Sequence, residues 1–90
     1  MATYIVTYDL SAPGRNYDDL YKRIKAYGTW AQITESSWAI VTDKTATSVR
    51  DNLGKSLDTN DKLFVGDLSR PYAWRGLGQR IGNWLAKNVK

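Results

Sequence analysis

The strongest constraint on the fold is the order of β-rich and helical segments along the chain. Residues 3–9 are β-branched and aromatic, which predicts a strand. Residues 29–35 and 37–42 show the same alternation, and the short gap between them predicts an antiparallel hairpin. Residues 62–67 predict a fourth strand. A chain of 90 residues can bury one small core with these elements.

Two amphipathic helices separate these strands. Apolar residues recur at helical spacing over residues 17–27, where Asn16 suits the N-cap and Gly28 ends the pattern. Asp43 and Thr45 can each cap the second helix. The apolar stripe of that helix comprises Ala46, Val49, Leu53 and Leu57.

The element order predicts an α+β fold of the ferredoxin-like βαββαβ type. In this arrangement two helices cover one face of a four-stranded antiparallel sheet, and a C-terminal amphipathic helix follows. We expect a single domain over residues 1–90, with residues 1–67 as its core and residues 68–90 as a basic helical tail. An open second face would leave apolar side chains exposed, which favours a homodimer or a larger homo-oligomer.

All of the excess positive charge lies in the tail. The chain carries a net charge of +4, and residues 68–90 contain five basic and no acidic side chains. This asymmetry favours a polyanionic partner, although a solvated basic helix face gives the same pattern. Helical spacing after Pro71 predicts an apolar stripe that makes Trp74 and Trp84 core residues. Its members are Trp74, Leu77, Ile81, Trp84 and Leu85.

Composition excludes several kinds of chemistry. The chain has no Cys and no His, so thiol nucleophiles, histidine bases and thiolate or imidazole metal sites are absent. Glu35 is the single glutamate. No apolar run reaches the ~20 residues of a membrane helix, and the N-terminus does not resemble a signal peptide. We therefore expect a cytoplasmic protein with no membrane partner.

Asp9 is the first candidate site residue, because it ends the first predicted strand directly after Tyr8. In a two-fold dimer, two such carboxylates could share a Mg²⁺ ion, which prefers oxygen ligands and retains waters that can attack a phosphodiester. The alternative is that Asp9 caps the loop that follows the strand.

Two further segments could bind phosphate or nucleic acid. The loop at residues 11–16 combines backbone N–H groups, a helix N-terminus and Arg15, although Pro-Gly is primarily turn chemistry. The tail combines cations with stacking surfaces. The candidates for contacts with phosphate or nucleic acid are Tyr8, Ser11, Gly14, Arg15, Asn16, Arg70, Tyr72, Arg75 and Arg80.

The chain also resembles the second CRISPR-associated protein family, and most closely its stand-alone SinR-like and VapD-like relatives. The resemblance is carried by Tyr8-Asp9 after a hydrophobic strand, Tyr27-Gly28 at a helix end, and the segments 32–38 and 73–77. It implies a ferredoxin-like homodimer in which Asp9 matches the metal-binding aspartate. Thr34 stands where the family usually has Ser, and a Gly-rich helix replaces the strand that crosses to the partner.

Two functions follow as hypotheses. The first is a nucleic-acid-binding or nucleotide-binding protein, with Mg²⁺-dependent endonuclease activity at paired Asp9 residues as its enzymatic form. The second is a non-catalytic phage or bacterial protein that sequesters a nucleotide signal or a protein partner in defence or counter-defence. The small number of ionisable catalytic groups favours binding over turnover.

Overall fold

The computed structural model describes residues 1–12 and 16–90 and shows an α+β protein, as the sequence predicts. This part of the chain contains four strands and three helices. The strands are β1 (Ala2–Asp9), β2 (Thr29–Thr34), β3 (Ser37–Thr42) and β4 (Lys62–Asp67). The helices are α1 (Asp18–Lys25), α2 (Ala46–Gly54) and α3 (Gln79–Asn88).

The four strands form one antiparallel sheet in the order β2-β3-β1-β4. The predicted β2–β3 hairpin is confirmed, with a two-residue connection between Thr34 and Ser37. Tyr4 at the centre of the sheet lies opposite Ile40 on one side and Asp67 on the other. Strands β2 and β4 are therefore the edges of the sheet.

Helices α1 and α2 cover the face of the sheet that carries Tyr4, Val6 and Tyr8, which we call the helix face. Strand alternation places these three side chains on one side of β1. Complete burial of one aliphatic side chain stabilises a fold by roughly 1.5–3 kcal/mol. The buried core comprises Tyr4, Val6, Tyr8, Tyr17, Leu20, Ile24, Trp38, Ile40, Val49 and Leu53.

Local side-chain chemistry fixes the helix starts. The Asn16 Oδ1 atom accepts the N–H of Asp18 at 2.8 Å, although Asn16 lies one position before the N-cap residue Tyr17. Thr45, rather than Asp43, caps α2, because its Oγ1 accepts the N–H of Ser48 at 3.1 Å. Both helices therefore begin where polar side chains satisfy exposed backbone donors.

The opposite face of the sheet, which we call the second face, is not open as predicted. Helix α3 contacts β2, and its carbonyl at Asn88 accepts a hydrogen bond from the Thr3 hydroxyl at 2.6 Å. Leu85 and Val89 are buried. The α3 segment thus covers part of this face, while Phe64 on β4 stays 61% exposed. Within the described residues, no helix is long and apolar enough to cross a membrane.

The apolar stripe predicted after Pro71 does not lie on one helix. Helix α3 begins at Gln79, because Gly76 and Gly78 adopt positive φ angles that interrupt helical spacing. Trp74 is consequently 42% exposed and packs against Gly82 rather than entering the core. Trp84 is half-buried. Of the predicted stripe, Leu85 is buried, while Leu77, Ile81 and Trp84 are half-buried.

Candidate nucleic-acid interface

A cleft of about 410 Å³ lies between edge strand β2 and helix α3. We call it the indole cleft, because Trp30 and Trp84 both line it. The full lining is Gly28, Trp30, Ala31, Gln32, Arg80, Ile81 and Trp84. The cleft combines two indoles, one amide and one guanidinium.

Strand geometry places Trp30 and Gln32 side by side on β2. The two residues are separated by one position and therefore point to the same face of the sheet. Trp30 packs against buried Trp38 with ring centroids 5.4 Å apart. The Lys25 ammonium of α1 lies 5.3 Å from the Trp30 ring centroid, a cation–π distance. The Trp30 ring is thus held in place beside a cation.

Helix geometry places Arg80 and Trp84 together on α3. Residues four positions apart share one face of a helix. Burial of Leu85 and Val89 anchors the C-terminal half of α3 on the sheet. Arg80 and Trp84 therefore line the cleft from a helix whose position is fixed by packing.

The arginines of the tail differ in their surroundings. Arg75 and Arg80 are exposed. Arg70 instead donates from Nε to the Val89 carbonyl at 3.0 Å and from a terminal nitrogen to the Ala86 carbonyl at 3.2 Å. These carbonyls end α3, so Arg70 stabilises the helix C-terminus.

Tyr72 lies beside Arg70 rather than at the indole cleft. The Arg70 guanidinium carbon is 5.2 Å from the Tyr72 ring centroid, and Tyr72 itself is half-buried. Of the predicted tail contacts, the structure brings Arg80 to the cleft and pairs Arg70 with Tyr72. Arg75 stands in the exposed segment that precedes α3.

Tyr8 is buried and does not lie at a binding surface. Its hydroxyl donates to the Glu35 carbonyl at 3.1 Å and accepts the indole N–H of Trp38 at 2.9 Å. Burial raises the pKa of the Tyr8 hydroxyl, and the hydrogen bond from Trp38 opposes that shift. Tyr8 thus joins β1 to the β2–β3 hairpin in the core.

Asp61, which the sequence did not single out, joins Ser11 after β1 to Tyr17 before α1. Its Oδ1 atom accepts hydrogen bonds from the Ser11 backbone at 2.8 Å, the Ser11 hydroxyl at 3.0 Å and the Tyr17 hydroxyl at 3.0 Å. The bond from the Ser11 backbone is the main reason that the pKa of Asp61 falls to about 2. Asp61 thereby performs the loop-capping role considered for Asp9. Gly14 and Arg15 lie outside the described residues.

Asp9 lies beside a lysine of the neighbouring strand β4. It is exposed at the end of β1, and the β1–β4 register places Lys62 directly opposite it. Cross-strand neighbours of opposite charge attract each other, so Lys62 can compete with a cation for the Asp9 carboxylate. No group of three acidic side chains that could hold a metal occurs among residues 1–12 and 16–90. A shared site would need a carboxylate from a second copy.

The sequence missed the indole cleft because its two walls are more than 45 positions apart. Trp84 is predicted as a core residue, and nothing in the local sequence of Trp30 or Trp84 pairs them. The sequence signal that could have indicated the cleft is the position of Arg80 four residues before Trp84, which places a cation next to an indole on one helix face. No protein-family model matches the chain.

Proposed function

We propose that the protein binds single-stranded nucleic acid or a nucleotide in the indole cleft. The observation that carries this proposal is that one cleft is lined by Arg80 and Trp84 of α3 together with Trp30 and Gln32 of β2. Indoles stack on bases, contributing about 1–3 kcal/mol per base. The arginine binds phosphate, and the amide can hydrogen-bond a base edge.

The size and lining of the indole cleft favour unpaired bases. A volume of about 410 Å³ falls within the range of ligand clefts, roughly 300–1,000 Å³. Duplex DNA and RNA keep the faces of their bases inside the stack, where Trp30 and Trp84 cannot reach them. Single strands and free nucleotides expose these faces. The indoles therefore favour such ligands over duplexes.

The charge distribution supports the same ligand class. The tail contributes five positive charges and no negative one. Arg80 lines the cleft, while Arg75 and Lys87 are exposed on the same segment. A positive surface around an aromatic cleft attracts the phosphates that flank a stacked base.

Replacing Arg80 tests the proposal. We expect Arg80→Ala to weaken the binding of a labelled dT15 oligonucleotide about tenfold in fluorescence anisotropy. Removing one arginine–phosphate interaction should also reduce the log–log salt slope by about 0.7. Arg50→Ala, which removes the same charge from an exposed position on α2, is the matched control and should leave affinity and slope unchanged. Equal effects of both substitutions would reject the cleft as the site, and so would a wild type that binds neither dT15 nor a nucleotide.

We further propose that the sheet is of the ferredoxin-like type and that a second copy covers the rest of its second face. The support is the order β2-β3-β1-β4 with both α1 and α2 on one face. On the part that α3 leaves uncovered, Phe64 is 61% exposed. Light scattering at micromolar concentration should give a dimer mass or a higher multiple, and Phe64→Asp should yield monomers. A monomeric wild type would contradict this arrangement.

The second candidate function is a Mg²⁺-dependent endonuclease that uses Asp9 from two copies. It is favoured by the exposure of Asp9 at the end of β1, close to Phe64 on the surface proposed for pairing. The resemblance to the CRISPR-associated family supports the same role for Asp9. The position of Lys62, directly opposite Asp9 on β4, argues against this function.

A further inference from the structure

A second cleft adjoins the indole cleft on the helix face of β2. It has a volume of about 260 Å³ and is lined by Tyr21, Lys25, Gln32, Glu35 and Trp38. Gln32 lines both clefts. The two clefts are therefore neighbours along the edge strand and can be occupied by one continuous ligand.

The second cleft has a rigid aromatic wall. Tyr21 stacks on Trp38 with ring centroids 6.1 Å apart and an interplanar angle of 24°. Trp38 is fixed by its hydrogen bond to the buried Tyr8 hydroxyl. Tyr21 remains half-exposed. A base can therefore stack on a ring whose position is already determined by the core.

A cation stands between the two clefts. Lys25 lines the second cleft, and its ammonium lies 5.3 Å from the ring centroid of Trp30, which lines the first. The phosphate that links two stacked nucleosides has to lie between their bases. The position of Lys25 suits that phosphate.

Glu35 gives the second cleft a distinct selectivity. A carboxylate accepts hydrogen bonds and donates none when ionised. Guanine presents two adjacent donors, N1–H and N2–H, on its Watson–Crick edge, which match the two oxygens of a carboxylate. Adenine presents one donor there next to an acceptor, and an acceptor facing Glu35 is repelled.

We propose that the second cleft is a second base subsite, so that the protein binds two adjacent nucleotides and Glu35 selects guanine in the second. This inference rests on the proposed function of the indole cleft. The ligand class is thus a guanine-containing dinucleotide step of a single strand, with its bases in the two clefts and its linking phosphate at Lys25.

The test compares 5′-phosphorylated ribonucleotides by isothermal titration. Homodinucleotides avoid any assumption about strand direction, because both bases are the same. We expect pGpG to bind at least tenfold more tightly than pG and about tenfold more tightly than pApA. Glu35→Gln should reduce the preference for pGpG over pApA to less than threefold. Asp43→Asn, which removes one negative charge from an exposed turn outside both clefts, should keep it.

The outcomes separate this inference from the proposed function. If pGpG and pG bind equally while Arg80→Ala weakens both, the indole cleft binds nucleotides and the second subsite does not exist. If pGpG and pApA bind equally to the wild type, Glu35 does not select guanine. If neither dT15 nor any of these nucleotides binds, both proposals are rejected.

Discussion

The indole nitrogen of Trp38 donates a hydrogen bond to the hydroxyl of Tyr8 at 2.9 Å, and both side chains are buried. The same hydroxyl donates to the backbone carbonyl of Glu35. One phenol thus satisfies a buried donor on β3 and a carbonyl in the β2–β3 turn. Because Trp38 and Glu35 both line the second cleft, this bridge also fixes the cleft's walls.

Removing the Tyr8 hydroxyl should destabilise the protein more than an ordinary hydrogen-bond loss. Tyr8→Phe leaves the buried N–H of Trp38 without its acceptor, which costs about 1–3 kcal/mol of unfolding free energy. The control is Tyr4→Phe, which removes one bond from Tyr4 to the Lys44 carbonyl at 2.8 Å. Urea unfolding should show the larger loss for Tyr8→Phe. Equal and small losses would mean that the Trp38 indole finds another acceptor.

Arg70 should contribute to stability rather than to nucleic-acid affinity. Arg70→Ala removes two hydrogen bonds to the last carbonyls of α3, and we expect a loss of about 1 kcal/mol with faster amide exchange at residues 86–90. Arg75→Ala removes the same charge from the same segment and serves as the control. If Arg70→Ala weakens dT15 binding as strongly as Arg80→Ala while stability is unchanged, Arg70 is a ligand contact instead.

Asp61 should make stability depend on pH in the acid range. Hydrogen bonds lower its pKa in the folded protein from an ordinary value of 3.8 to about 2, so the folded state prefers the ionised form. This stabilisation is fully present above about pH 4 and is lost as the pH falls towards 2. Asp61→Asn should therefore melt below the wild type at pH 7, and the gap should narrow between pH 4 and pH 2.

The matched control for Asp61 is Asp43→Asn, an exposed acid in the turn after β3. Its melting curves should follow the wild type through the same pH series. A melting-temperature gap for Asp61→Asn that stays constant from pH 7 to pH 2 would show that the carboxylate charge does not hold the Ser11 loop.

Local sequence patterns predicted the elements well because local forces determine them. Alternation in β1, the Thr45 cap and the positive φ of Gly28 act within a few residues. The helical tail was mispredicted between Trp74 and Gly78, because α3 begins at Gln79. Its helical spacing continued through Gly76 and Gly78, whose left-handed conformations a periodicity argument does not detect.

The sites could not be predicted, because they join distant parts of the chain. Asp61 reaches Ser11 across 50 positions, and Trp84 reaches the cleft beside Trp30 only after α3 has folded onto the sheet. Arg70 was predicted as a nucleic-acid contact because of its residue type, but its partners are the carbonyls of Ala86 and Val89. Residue type indicated the chemistry, and tertiary packing decided which residues are available for it.

Mg²⁺ bound at Asp9 should play no part in nucleic-acid binding. Asp9 and Lys62 are cross-strand neighbours, a placement that brings opposite charges close together. A single carboxylate opposite an ammonium is a poor ligand set for Mg²⁺, which is bound through carboxylates and retained waters. We therefore expect dT15 binding to persist in EDTA, and Asp9→Asn to leave affinity unchanged. The melting temperature of both proteins should not respond to added Mg²⁺.

Light scattering on the same samples reports whether two copies are present. If Mg²⁺ raises the melting temperature of a dimeric wild type but not of Asp9→Asn, and cleavage of RNA or DNA disappears in the variant, two Asp9 residues share the ion. The endonuclease function would then replace binding without catalysis. Metal binding at Asp9 would also require the Lys62 side chain to move aside.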